Sequence, residues 1–189
     1  MGPKNSHTGE PSPSLSRERN LVLIGYRATG KSAVGALLAG KLARPCLDLD
    51  EVLEEEAGQA IADLVAAQGW AEFRRREKEL VVRYGRHPGQ VLATGGGVIL
   101  DPENVKMLRE NGVVVWLMAD PDTIRERLSQ DQVQESQRPS LTGSGTMDEV
   151  AEVLKSRQPL YKAAAHIVID TAGQSIDQVA ERVLRAIKR

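Results

Sequence analysis

Gly25-Tyr26-Arg27-Ala28-Thr29-Gly30-Lys31-Ser32 fits the pattern G-x-x-x-x-G-K-[ST], whose chemistry is the cradling of nucleotide phosphates. The apolar run at residues 21–24 leads into it, and a helical stretch with Val34, Leu37, Leu38 and Leu42 along one side follows. Glycines at both ends let the backbone curl until successive N–H groups point at phosphate oxygens, and the helix N-terminus adds partial positive charge. Lys31 would then reach the β and γ phosphates, while the Ser32 hydroxyl would ligate Mg²⁺. The motif alone says only that a nucleoside triphosphate binds, which leaves kinase, GTPase, ATPase and motor open.

Other polar residues could complete a site. Asp48-Leu49-Asp50 ends the second apolar run, and a strand's period of two puts both carboxylates on one side at its C-terminal edge, where ligands bind in open parallel sheets. Asp48 could hold an Mg²⁺-bound water and Asp50 an acceptor hydroxyl, although Asp50 or Glu51 could simply cap the next helix. Arg74 and Glu77 lie three apart on one helical face, a spacing equally suited to a solvated charged surface. Gly95, Gly96 and Gly97 follow a buried strand and suggest close approach of a ligand to the backbone, or a flexible turn. Arg138 and Arg157 could grip phosphate or carboxylate, or be surface charges. Asp170-Thr171-Ala172-Gly173 resembles a GTPase switch, but it follows the last strand with no guanine-reading N-K-x-D after it, so it reads as a turn.

The elements that must position these groups alternate between apolar runs and amphipathic stretches, which predicts an α/β fold with a parallel sheet and helices on both faces. Strands are expected at residues 21–24, 45–49, 91–94, 113–118 and 167–169. Asp101 before Pro102 and Asp120 before Pro121 mark helix starts, and Pro159 should end or kink the helix carrying Arg157. Thr146 with Glu149, and Ser175 with Gln178, have capping-box spacing. Ile176, Val179, Val183 and Ile187 should pack a final helix on the sheet. Residues 130–145 are polar, glycine-bearing and aperiodic, and read as a long mobile loop over a site. Residues 1–18 carry almost no large apolar groups and read as a floppy tail, leaving 19–189 as a single domain.

Composition narrows the classes. Among 189 residues, 25 Lys and Arg nearly balance 26 Asp and Glu, so no global field draws in nucleic acid or an anionic membrane. No apolar run approaches the roughly 20 residues that span a bilayer, and the N-terminus lacks a signal peptide's apolar stretch. The single cysteine, Cys46, allows no internal disulfide and is expected to be a small buried hydrophobe. A cytoplasmic monomer is the expectation.

Six motifs in order resemble the shikimate kinase family from residue 21 to the C-terminal helix: the phosphate loop at Gly25 to Ser32, D-x-D at Asp48 and Asp50, F-R-x-x-E at Phe73 to Glu77, G-G-G at Gly95 to Gly97, R-P-x-L at Arg138 to Leu141, and R-x-x-L-Y at Arg157 to Tyr161. The resemblance implies a nucleoside-monophosphate-kinase-like fold, a five-stranded parallel sheet with a mobile lid at about residues 130–146, and ATP-dependent phosphorylation of the 3-hydroxyl of shikimate. By the same resemblance Ala28, Thr29, Gly30, Lys31, Ser32 and Ala33 bind ATP with Arg127, Arg138 and Gln174. Asp50 binds and orients the acceptor, Arg74 and Arg157 clamp its carboxylate, Gly96 offers its N–H with Gly95 and Gly97 keeping the approach open, and Glu77 holds Arg74. Ser32 and Asp48 manage Mg²⁺. Ala28-Thr29 in the loop, Ser140 in the lid motif and Trp70 depart from the family's common pattern without removing a functional group. Two other readings stand beside this one: a related small kinase for gluconate or a nucleotide, and a nucleotide-binding regulatory protein without an acceptor.

Overall fold

The computed structural model describes residues 15–130 and 149–188. Five strands, β1 (Asn20–Ile24), β2 (Cys46–Asp48), β3 (Val91–Ala93), β4 (Gly112–Met118) and β5 (Ile167–Asp170), form one sheet in the order β2-β3-β1-β4-β5. Every pairing is parallel, so each strand connects to the next through a crossover. The helices are α1 (Lys31–Leu42), α2 (Leu49–Ala57), α3 (Ile61–Gly85), α4 (Pro102–Asn111), α5 (Pro121–Gln130), α6 (Val150–Ala164) and α7 (Ile176–Ile187).

The alternation of side chains along β1 divides the core. Leu21 and Leu23 face Val34 and Leu38 of α1 and Val179 and Val183 of α7. Val22 and Ile24 face the other layer, with Val81 of α3, Leu108 of α4 and Tyr161 of α6. Both faces are covered, which is why the central strands are apolar throughout. All five expected strands are present, and the α/β architecture is the expected one.

Several local expectations give way to packing. The second strand stops at Asp48, whose side chain accepts from the Asp50 N–H at 3.0 Å and caps α2, so Leu49 and Asp50 are helical. Cys46 is exposed rather than buried, because β2 is an edge strand. Helix α6 runs through Pro159 to Ala164 instead of ending there, because Tyr161 and Ala164 beyond the proline are buried in the core. The box of Ser175 and Gln178 forms as its spacing implies. By contrast Glu149 receives no capping role from its side chain, and Thr146 lies outside the described residues. Ile176 is 47% exposed, so α7 packs through Val179, Ala180, Val183 and Ile187.

The tail expected through residue 18 is docked at its described end. Leu15 packs against the α1 and α7 layer, and its N–H donates to the Ile187 carbonyl at 3.1 Å. The Ser16 carbonyl accepts from Arg44 Nη2 at 2.9 Å. One leucine at the end of α7 therefore anchors what composition alone assigns to a floppy segment. Among the described residues no helix is long and apolar enough to cross a membrane.

Candidate active site

The phosphate loop is shaped by its neighbours. A Cβ at Gly25 (φ 147°) would lie 2.4 Å from the Leu117 carbonyl oxygen, so only glycine fits between β1 and β4. Gly30 (φ 88°) and Ala28 (φ 59°) both take left-handed backbone, which disfavours alanine by about 1–2 kcal/mol. The Tyr26 carbonyl accepts from Thr29 Oγ1 and from Lys31 Nζ, each at 2.8 Å, which closes the loop on itself. Lys31 is buried, whereas Ser32 and Ala33 are exposed at the start of α1.

Two further residues frame this loop. Arg127 of α5 donates through Nη1 to the Ala28 carbonyl at 3.2 Å and to Thr171 Oγ1 at 3.0 Å, and through Nη2 to the Thr171 carbonyl at 2.7 Å. It stitches the phosphate loop to the turn after β5. In that turn Gln174 Nε2 donates to the Asp170 carbonyl, and Asp170 Oδ1 accepts from the Ala172 N–H. The D-x-x-G segment is therefore the strand-to-helix turn that its residues suggest. On the other side Ser32 Oγ donates to Asp48 Oδ2 at 2.5 Å. A hydroxyl and a carboxylate thus converge beside the loop, a donor pair suited to a hard divalent cation that also takes phosphate oxygens and waters.

Next to the loop a pocket spans, with its open mouth, about 470 Å³. Asp50, Arg74, Gly96, Gly97 and Arg157 all line it. Asp50 comes from the first turn of α2 rather than from the strand, yet still projects at the C-terminal edge of the sheet. Helix α3 changes direction at Gly69 (φ 80°, ψ 168°), and the turn after this break carries Trp70, Phe73 and Arg74. Arg74 Cζ lies 4.8 Å from the Phe73 ring centroid and 5.6 Å from that of Trp70, and Nη1 donates to Glu77 Oε2 at 2.5 Å. Glu77 is 4% exposed. Burial pushes its carboxyl group above the usual range, and the Arg74 charge opposes that shift.

The glycine triplet makes room for the site's own side chains. A Cβ at Gly95 would lie 2.6 Å from Asp50 Oδ1 and 2.7 Å from Glu77 Oε1, and one at Gly97 would lie 2.1 Å from Arg74 Nη2. The Gly96 carbonyl accepts from Tyr161 Oη at 2.5 Å and from Arg157 Nη1 at 3.3 Å. Burial raises the Tyr161 phenol pKa, which keeps it a donor at neutral pH. Arg138 and most of the expected lid lie outside the described residues.

Four pocket or near-pocket residues carry no signal in the motifs. Tyr26, Arg27 and Ile61 line the cavity, and Arg27 Nη2 pairs with Glu149 Oε1 at 2.6 Å. Tyr26 and Arg27 fill open positions of the phosphate-loop pattern, and Glu149 is 122 residues away in sequence. A pocket with one carboxylate and three guanidiniums beside a phosphate loop can bind an anionic polyol and hold one hydroxyl near a terminal phosphate.

A family profile for shikimate kinase matches residues 27–188. Among curated relatives, a shikimate kinase of Rhodopirellula baltica is 41% identical over 170 residues, covering 90% of this chain and 91% of its own. A solved shikimate kinase of Acinetobacter baumannii, in complex with shikimate, superposes with a TM-score of 0.83 at 31% identity, covering 94% of this chain and 97% of that one. A gluconokinase of Sinorhizobium meliloti, at 17% identity and a TM-score of 0.57 with coverage of 90% and 92%, shares the fold alone. The chain belongs to the shikimate kinase family.

Proposed function

We propose that the protein transfers the γ-phosphoryl group of ATP to the 3-hydroxyl of shikimate, giving shikimate 3-phosphate and ADP on the route to chorismate and the aromatic amino acids. The observation that carries this reading is the convergence of Asp50, Arg74 and Arg157 in one pocket beside the phosphate loop. An acceptor with a ring of hydroxyls and one carboxylate matches that set of groups.

In this reading the backbone N–H groups of residues 28–33 and the Lys31 ammonium hold the phosphates, and Arg127 and Gln174 border the base. Arg74 and Arg157 grip the carboxylate, with Arg74 fixed by Glu77, Phe73 and Trp70. Gly96 offers its N–H to the acceptor between Gly95 and Gly97. Asp50 accepts a hydrogen bond from the attacking hydroxyl and aims its oxygen at the γ phosphorus. A bond forms from that oxygen to phosphorus as the bond to the β-bridging oxygen breaks, and the electron pair leaves with ADP. The hydroxyl proton passes to Asp50 or to water. Loose phosphoryl-transfer transition states demand little proton removal, so orientation is the larger part of its task.

Lys31, and Arg138 from beyond the described residues, neutralise charge on the transferring group. Ser32 and Asp48 are the residues that would hold Mg²⁺, and their oxygens already meet at 2.5 Å. Held there, a divalent cation would supply positive charge against the phosphates. The enzyme acts as a cytoplasmic monomer on small molecules, without nucleic acid or membrane.

The test is ADP release with Mg·ATP and shikimate, run beside gluconate, AMP and no acceptor. Stimulation by shikimate alone, with phosphorylated shikimate as product, is the expected result. Stimulation by gluconate or AMP instead would reassign the acceptor pocket, and ATP binding that no acceptor accelerates would favour a regulatory protein.

A further inference from the structure

Arg27 fills one of four positions that the phosphate-loop pattern leaves open, so phosphate binding does not dictate its side chain. It nevertheless lies 6% exposed and lines the acceptor pocket with Asp50, Arg74 and Arg157. It sits at the seam between the two substrates, since a Cβ at Gly96 would lie 3.5 Å from the Arg27 backbone nitrogen.

The three guanidiniums are engaged differently. Arg74 is tied to Glu77, and Arg157 to the Gly96 carbonyl. Arg27 is held from behind, because Glu149 at the head of α6 does not line the pocket and its side chain is fully buried. That carboxylate offsets the Arg27 charge and fixes Nη2, while Cζ lies 5.3 Å from the Tyr26 ring centroid. Nη1 remains buried with no hydrogen-bond partner. An orphaned cationic donor is costly to keep. A guanidinium already neutralised by a carboxylate also has less to offer a second anion than a neutral oxygen.

We propose that Arg27, seated by Glu149, is a specificity-determining residue that donates through Nη1 to a ring hydroxyl of the acceptor other than the one phosphorylated. This role rests on the shikimate reading above. A buried donor built for a hydroxyl discriminates strongly against acceptors that lack it, because the donor is then left unpaired.

The test compares the wild type with two variants, on shikimate and on its analogues lacking the 4- or the 5-hydroxyl. Arg27→Lys keeps the pairing with Glu149 but has no second arm of the fork. The double variant Arg27→Met/Glu149→Gln removes the cation without leaving a buried carboxylate unpaired. Both are expected to raise KM for shikimate about tenfold, with kcat and KM for ATP nearly unchanged. For one deoxy analogue the wild type and the variants should coincide, which a merely structural role would not produce. A variant-to-wild-type ratio that is the same for every acceptor, or a parallel rise in KM for ATP, overturns the role and leaves the reaction intact. A wild type that does not turn over shikimate overturns the reaction and this role together.

Discussion

Arginines crowd both edges of the sheet, and the two sets are used differently. At the N-terminal edge Arg109 donates through Nη1 to the carbonyls of Ala163, Ala164 and Ala165 at 3.2, 2.9 and 3.4 Å, which closes the end of α6. Arg19 binds the carbonyls of Arg109 and Gly112, and Arg44 those of Arg19 and Ser16. At the C-terminal edge Arg127 and Arg157 also bind carbonyls, but Arg27 and Arg74 meet carboxylates. Four buried side-chain atoms among the described residues lack a hydrogen-bond partner, and three of them, Tyr26 Oη, Arg27 Nη1 and Glu77 Oε1, lie at this edge. Among the described residues, three of the four buried side-chain atoms left open thus gather where the phosphate loop and the pocket meet, which is where a ligand could satisfy them.

The contrast can be broken most severely at Lys31. Lys31→Met should lower kcat by about 3–4 kcal/mol of lost transition-state stabilisation, with a smaller cost in melting temperature from the lost bond to the Tyr26 carbonyl. Single-turnover assays and a thermal melt separate the two, and retained activity would sink the phosphate-loop assignment. Next in size, Arg157→Ala should raise KM for shikimate by about 2–3 kcal/mol in affinity and leave KM for ATP near its original value. Equal effects on both substrates would contradict the carboxylate clamp.

At the opposite edge the expected losses are in stability. His166 Nδ1 accepts from the Val114 N–H at 3.0 Å. Burial, helped by Arg109 and Arg19, lowers its pKa to about 4. The unfolded chain therefore binds the proton first, so the contribution is fully present above about pH 6.5 and is lost as pH falls towards 4. Acidifying from pH 6.5 to 5 should therefore lower the unfolding free energy through this group, by less than the full shift would give because the ring is only half-buried. Denaturant titrations on His166→Gln should show that part of the pH slope removed, and an unchanged slope would refute the assignment. Smallest is Arg109→Ala, expected to cost about 1 kcal/mol of stability with KM for both substrates intact. It should also make the His166 pH dependence shallower by removing one of the opposing charges.

The parts of the molecule legible in sequence are those whose cause is local. A strand, a glycine loop and a helix N-terminus follow one another at residues 20–32, so β1 and the phosphate loop could be read directly. The caps at Asp101, Asp120 and Ser175 depend on residues two or three apart. Illegible features depend on distant partners. Arg27 meets Glu149 across 122 residues, and Tyr161 meets Gly96 across 65. Asp50 fits a strand's period in sequence, although Asp48 turns the chain into a helix one residue earlier. Pro159 reads as a stop or a kink until the burial of Tyr161 is seen to carry α6 past it.

The strand order has a consequence during synthesis on the ribosome. Strand β1 lies between β3 and β4, and its partners begin at Val91 and Gly112. As the chain grows, the first strand made waits for residues some 70 and 90 positions later, on the order of 5–20 s at ordinary translation rates. Throughout that delay the segment Leu21 to Ile24 is an unpaired apolar strand, and the loop after it has no neighbouring strand to shape it. Nucleotide can therefore aid folding only late, once β4 has emerged and brought the Leu117 carbonyl against Gly25. Slowing translation before β4 should prolong exposure to chaperones and proteases, whereas slowing it after Met118 should matter far less.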